Sequence, residues 1–158
     1  MRNMEFAYPF TVRKTSGEYL VKFPDVPEAI TGADSREEAA ALARDALLAA
    51  LGGYVDDRRD IPQPSARKGK QLVAYLDPLE AAKLALYIAM QEKGLSNVGL
   101  ASRLRMDEKA VRRMLDLDQK TKIDTIHDAL RHVFDYRLVT SMHRANYSGT
   151  GVSHAHAV

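Results

Sequence analysis

The chain has 158 residues, 46% of them apolar, and a formal net charge of +2, which suits one ordinary domain or two small ones with packed cores. It contains no cysteine, which excludes disulfides, thiolate metal sites and cysteine nucleophiles and suits a reducing cytoplasm. No apolar run reaches the roughly 18 residues of a membrane span, MRNMEFAYPF lacks the apolar core of an export signal, and no glycine-rich phosphate loop is present. The expectation is a cytoplasmic protein with no membrane partner and no cofactor.

The first elements alternate. Phe6, Tyr8, Phe10 and Val12 share one face of a strand. KTSG supplies a turn ending at Gly17, and Tyr19, Val21 and Phe23 line one face of a second strand. PDVP breaks the hairpin and EAITGAD gives a short third strand. SREE then matches a capping box, with Ser35 as the cap and Glu38 reaching back. Ala39, Leu42, Ala43, Ala46, Leu47, Ala50, Leu51 and Tyr54 follow helical spacing, which predicts a helix from about Ser35 to Tyr54 or a little further. Its last turn is expected to fray at Gly52-Gly53, at a cost of roughly 1 kcal/mol per glycine. IPQPSARKGK reads as a connection over 61–70 because prolines hold it extended. A fourth strand over 71–77 is expected to return to the same sheet. The fold class is α+β, with a β-β-β-α-β unit over 1–77.

Asp25, Glu28, Asp34 and Asp45 resemble a carboxylate cluster in composition only. Asp25 sits in a turn between prolines, Asp34 sits where a helix start favours anions, and Asp45 faces solvent. No catalytic residue and no metal ligand is assigned.

The second unit, 78–145, reads as all-helical. Pro78 opens a helix that is apolar nearly all round, with Leu79, Ala82, Leu84, Leu86, Tyr87, Ile88 and Met90. Gly94 ends it in a left-handed cap. In SNVGLASRLRMDEKAVRRML, Ser96 caps a short helix bearing Leu100, Ala101 and Leu104. The apolar phase then slips and resumes at Val111, Met114 and Leu115, behind a fresh N-cap at Asp107. Small Ala101, a turn residue at Arg105 and branched Val111 have the spacing of a helix-turn-helix. Its turn normally carries glycine; arginine there costs roughly 1 kcal/mol in a left-handed conformation.

Charge supports that reading. Residues 1–60 hold 8 Lys and Arg against 11 Asp and Glu, whereas 61–158 hold 15 against 10. Lys109, Arg112 and Arg113 point away from the Val111–Met114–Leu115 face, as entry into a DNA major groove requires. Lys120 and Lys122 precede a last helix bearing Ile123, Ile126, Leu130, Val133 and Phe134. The candidate DNA-contacting set is Ser96, Lys109, Arg112, Arg113, Lys120 and Lys122, with Lys109 and Arg113 reading bases and Arg112, Lys120 and Lys122 meeting phosphates. His127, His132 and His143 read as surface or packing residues. RLVTSM reads as a short strand available to a second copy across a two-fold axis. Residues 146–158, with His154 and His156, read as a flexible tail.

EYLVKFPDVPEAITGADSREEAAALARDAL, the IPQPS connection and the downstream helix-turn-helix with TKID together resemble HicB antitoxins over nearly the whole chain. Many members have Pro-Gly-Cys and Gly-Asp-Thr where this chain has Pro-Glu-Ala and Ala-Asp-Ser, swaps that keep the polar cap. The resemblance implies a partial ribonuclease H-like fold without nuclease activity, which blocks a small basic HicA toxin that cleaves messenger RNA. It also implies a C-terminal domain that represses the operon by binding operator DNA, as a homodimer or a larger assembly such as a tetramer. On that reading Asp25, Glu28, Asp34, Glu37 and Glu38 form the candidate toxin-binding set, an acidic mask for a basic, RNA-binding surface. Two other classes remain open. One is a nuclease, which needs convergent carboxylates for Mg²⁺. The other is a stand-alone transcriptional regulator whose first domain senses a ligand.

Overall fold

The computed structural model describes residues 3–142. Strands β1 (Ala7–Thr15) and β2 (Glu18–Lys22) form an antiparallel hairpin closed by the pair Thr15 and Glu18. Its two turn residues, Ser16 and Gly17, have φ of 51° and 86°. Positive φ at both central positions matches the twist of the flanking strands. Strand β3 (Ile30–Ala33) adds beside β2, and β4 (Leu72–Tyr75) adds beside β1, giving the antiparallel order β3-β2-β1-β4.

β1 changes partner along its length. Residues 7–10 pair with β4, and residues 11–15 pair with β2. This explains a proline in a central strand. Leu76 N–H donates to the Phe6 carbonyl at 3.2 Å, so the ladder's period of two turns Tyr8 and Phe10 toward β4 and Pro9 away from it. On that side β2 begins to pair only at Thr11, and the N–H that proline lacks costs no ladder bond.

Helix α1 (Arg36–Asp56) covers one face of the sheet. Ser35 Oγ accepts from Glu38 N–H at 3.1 Å. The reciprocal half of a capping box forms at the next helix, where Glu80 accepts from Asp77 N–H at 2.9 Å. The stripe Ala39, Ala43, Leu47, Leu51 and Tyr54 is buried with Tyr8, Phe10, Val12, Val21 and Phe23 of the hairpin. The expected face was wider. Leu42 stays 37% exposed, because a helix lying flat on a sheet buries one narrow i, i+4 row. The helix continues through Gly52-Gly53, as expected, a little beyond Tyr54. It runs to Asp56, and the following turn closes it with Asp57 N–H on Gly53 and Arg59 N–H on Tyr54.

The connection is anchored in its first half. Tyr8 Oη donates to the Pro62 carbonyl at 2.8 Å, and Asp25 accepts from Ser65 N–H and Oγ. Four helices follow: α2 (Pro78–Glu92), α3 (Asn97–Leu104), α4 (Glu108–Leu115) and α5 (Ile123–Phe134). After α2, Gly94 has φ 60°, with Gly94 N–H on Gln91 and Leu95 N–H on Met90, the two bonds of a Schellman motif. α2 lies at the centre of the helical group, with Leu84, Leu86, Ala89 and Met90 buried. One continuous cluster of buried apolar residues runs from the sheet through these helices. Arg44 on α1 bridges to Asp77 and Glu80 at the start of α2, and Tyr87 Oη donates to the Arg59 carbonyl.

Residues 137–142 form no strand in the single chain. Leu138 packs on the core, while Val139 and Met142 are 83% and 98% exposed. His143, His154, His156 and the tail expected over 146–158 lie outside the described residues.

Candidate nucleic-acid interface

α3 and α4 are joined by a turn of three residues. Ser96 Oγ caps α3 by accepting from Gly99 N–H at 3.1 Å, and Asp107 caps α4 by accepting from Ala110 N–H at 2.6 Å. Between them Arg105 is left-handed, with φ 53° and ψ 44°. The strain of about 1 kcal/mol is offset by the bonds it permits. Met106 N–H meets the Ala101 carbonyl at 3.0 Å and Arg105 N–H meets Ser102 at 3.4 Å. Leu100, Ala101, Val111 and Met114 are buried where the two helices meet. Ala101 is small enough to let α3 approach α4.

With Val111, Met114 and Leu115 facing inward, helical geometry puts Lys109 and Arg113 on the outermost line of α4. Both are exposed. Arg112 is exposed too, but it is tied back along the helix to Glu108 at 2.7 Å. An exposed pair of this kind contributes little to stability, and it leaves Arg112 less available than its neighbours. Lys120 and Lys122 are exposed in the segment between α4 and α5, and Ser96 is exposed at the start of α3. The six predicted residues therefore lie on α3, α4 and the segment that follows.

One residue absent from the predicted set organises this surface. Lys83 of α2 is 1% exposed, and its Nζ donates to the carbonyls of Arg113 (3.0 Å), Asp116 (2.6 Å) and Gln119 (2.6 Å). Burial pushes its ammonium below the ordinary lysine value, opposed by the Asp116 carboxylate. The signal was available: it is the one basic residue between Pro78 and Glu92, within an otherwise apolar stretch. Beside α4, a cleft of about 450 Å³ is lined by Arg58, Tyr87, Ser96 and Arg112, among others.

The five candidate acidic residues do not form one patch. Glu28 accepts from Tyr54 Oη at 2.7 Å, near the end of α1. Glu37 and Glu38 lie in its first turn. The rise of an α-helix puts about 25 Å between those positions. Asp25 and Glu28 also carry structural duties, the first on Ser65 and the second on Tyr54 and Arg59. Asp34, Glu37 and Glu38 are exposed together at the other end. Among the described residues no three His, Asp or Glu side chains converge as metal ligands, and no helix is long and apolar enough to cross a membrane.

A four-stranded antiparallel sheet under one long helix, followed by a helical group with a basic outer face, defines an α+β protein with two chemically different surfaces. Residues 6–85 match the family described as HicB_like antitoxin of bacterial toxin-antitoxin system. The chain is 43% identical to Antitoxin HicB 2 of Photorhabdus laumondii over 129 residues, covering 82% of this chain and 90% of that protein. It is 40% identical to Antitoxin HicB 1 of the same organism, covering 80% and 79%, and 32% identical to Antitoxin HicB of Escherichia coli, covering 78% and 91%. The chain belongs to the HicB antitoxin family, and these relatives are named as antitoxins and not as enzymes.

Proposed function

We propose that this chain neutralises a HicA-type RNA-cleaving toxin and represses its own operon by binding operator DNA. In this reading α3 and α4 are a helix-turn-helix, with α4 entering the major groove. The observation that carries it is the turn. Left-handed Arg105 between two side-chain caps ends α3 and lets α4 start afresh, and the helical repeat of α4 leaves Lys109 and Arg113 exposed on one line. Operator half-sites lie about one helical turn apart, or a multiple of it, for a dimer. The exposed Val139 and Met142 support pairing of 137–142 between copies, in a homodimer or a tetramer.

Toxin capture falls to the sheet unit, 1–77, with its ribonuclease H-like layout. Asp34, Glu37 and Glu38 make the acidic approach surface. Asp25 and Glu28 hold the β2–β3 turn against Ser65 and the end of α1, so they shape the unit more than they mask a partner. The test is direct. The full chain is titrated onto duplexes from a random pool and from its own upstream region, at several salt concentrations. Binding to a palindrome that weakens steeply with salt is expected. Salt-insensitive or undetectable binding refutes the repressor role. Co-expression with a HicA-type toxin should yield a complex, and failure to protect RNA in that complex refutes the antitoxin role.

A further inference from the structure

We propose that Lys83 is a positioning residue for DNA recognition, an internal ammonium that sets the end of α4 and the basic segment after it in their reading geometry. This rests on the proposed DNA binding by α4. Lys83 belongs to α2 and touches no DNA itself.

The chemistry is specific. Burying an ammonium is unfavourable unless its protons are met. Here the Nζ has three protons and three carbonyl partners: Arg113 in the last turn of α4, Asp116 just after it, and Gln119 three residues further on. The last carbonyls of a helix lack partners within it, and a cation favours that end. The same carbonyl of Arg113 also accepts from Thr121 Oγ1 at 3.3 Å. Gln119 N–H donates back to Asp116, and Asp118 N–H donates to the Asp116 carboxylate, which folds the segment around the ammonium. Two consequences follow. The backbone of Arg113 is pinned at the residue whose side chain points outward. Lys120 directly follows a pinned carbonyl, and Lys122 precedes α5, so both charges are held beside α4. A hydrocarbon side chain at 83 fills the same core but takes the ammonium from the Gln119 carbonyl and leaves those of Arg113 and Asp116 with only Thr121 Oγ1 and Gln119 N–H.

The experiment uses the full-length chain, a mixed-sequence duplex, and the duplex that the parent chain selects from a random pool. Lys83→Met keeps the apolar stem and removes the ammonium. If Lys120 and Lys122 lose their placement, the slope of log affinity against log salt falls by about 1.8, two phosphate contacts' worth. Preference for the selected duplex narrows, and amides over 113–122 exchange at least about tenfold faster while those of the sheet do not. Because the chain has no other thiol, Lys83→Cys offers a rescue. The unfolded variant is alkylated with bromoethylamine, its thiolate displacing bromide, and refolded with an ammonium of nearly the same reach. Recovery of the salt slope is expected. A Lys83→Met chain with parental slope, preference and exchange overturns the proposal and leaves DNA binding intact. A Lys83→Cys chain that folds only after alkylation also overturns it, making Lys83 a general core residue. A parent chain that binds neither duplex refutes the DNA reading itself, and the proposal with it.

Discussion

The sheet unit and the helical group treat charge in opposite ways. Around the sheet, charged side chains are spent on the fold itself. Asp25 holds Ser65, Glu28 holds Tyr54 and Arg59, and Arg36 donates to the Val12 carbonyl at 3.0 Å. In the helical group the one buried charge among the described residues, Lys83, holds three carbonyls, while Lys109, Arg113, Lys120 and Lys122 stay exposed. Formal charge is therefore a poor guide to available charge. Two of the five candidate acids are committed to structural bonds, against one of the five candidate DNA-contacting cations, Arg112.

The largest effect that tests this contrast is on the core the two regions share. Leu100 is fully buried in α3, and Leu100→Ala should cost roughly 2–5 kcal/mol, read by denaturant unfolding. Because the buried cluster is continuous from sheet to helices, circular dichroism and tyrosine fluorescence should report one coincident transition. Two separate transitions would mean that the regions are independent in energy as well as in charge. Next in size is the outward line of α4. Arg113→Ala should weaken binding to the selected duplex by roughly 1–3 kcal/mol and relax one base pair, whereas Lys122→Ala should weaken all duplexes alike. Equal losses on every duplex with Arg113→Ala would move it from base reading to phosphate contact.

Periodicity carried most of the secondary structure, because local patterns were consistent with the final packing. The alternation Phe6, Tyr8, Phe10, Val12, the caps Ser35, Ser96 and Asp107, and the stop at Gly94 all read directly from spacing. The helix-turn-helix spacing from Ala101 puts the turn at Arg105, where the left-handed conformation is found. What stayed hidden involves partners distant in sequence. Nothing near Glu28 announces Tyr54 or Arg59, 26 and 31 residues away, and nothing near Lys83 announces carbonyls 30 to 36 residues on. The five acids looked like one cluster because they are close in sequence. A short strand and a long helix running back along it separate them in space.

That separation gives the third prediction. Asp34→Asn with Glu37→Gln and Glu38→Gln removes charge while keeping hydrogen-bonding shape. Association with the toxin should slow by about tenfold at low salt, with little change in dissociation, because exposed charges act mainly by steering. Asp25→Asn with Glu28→Gln should leave the association rate near that of the parent. Stopped-flow mixing at two ionic strengths distinguishes them. If the second pair slows association as much as the first set, the acids of both ends act together and the division drawn above is wrong.

The smallest expected effect concerns the clamp at the end of α1. Tyr54 Oη and Arg59 both donate to Glu28, at 2.7 and 2.9 Å, and the Arg59 guanidinium lies 3.9 Å from the Tyr54 ring centroid. The Tyr54 bond first, then a backbone bond and Arg59, hold the Glu28 carboxyl below its ordinary 4.5, against a small opposing effect of burial. A carboxyl lowered by folding contributes stability that is fully present above the unfolded value and lost as pH falls through the folded one. The clamp should therefore weaken only below about pH 4.5. Its release should loosen the last turn of α1, where Gly52-Gly53 gives the backbone little resistance of its own. The change should be small because the pair is exposed and screened by solvent. The amide shifts of Asp57 and Arg59, whose N–H groups close this turn on Gly53 and Tyr54, are the natural probes from pH 6 to 3. In Glu28→Gln, whose single amide oxygen keeps only one of the two bonds but does not titrate, they should stay flat across that range. Identical acid titrations of these amides in the parent and Glu28→Gln would place the responsible carboxyl elsewhere, and the end of α1 would then owe its order to packing of Tyr54 alone.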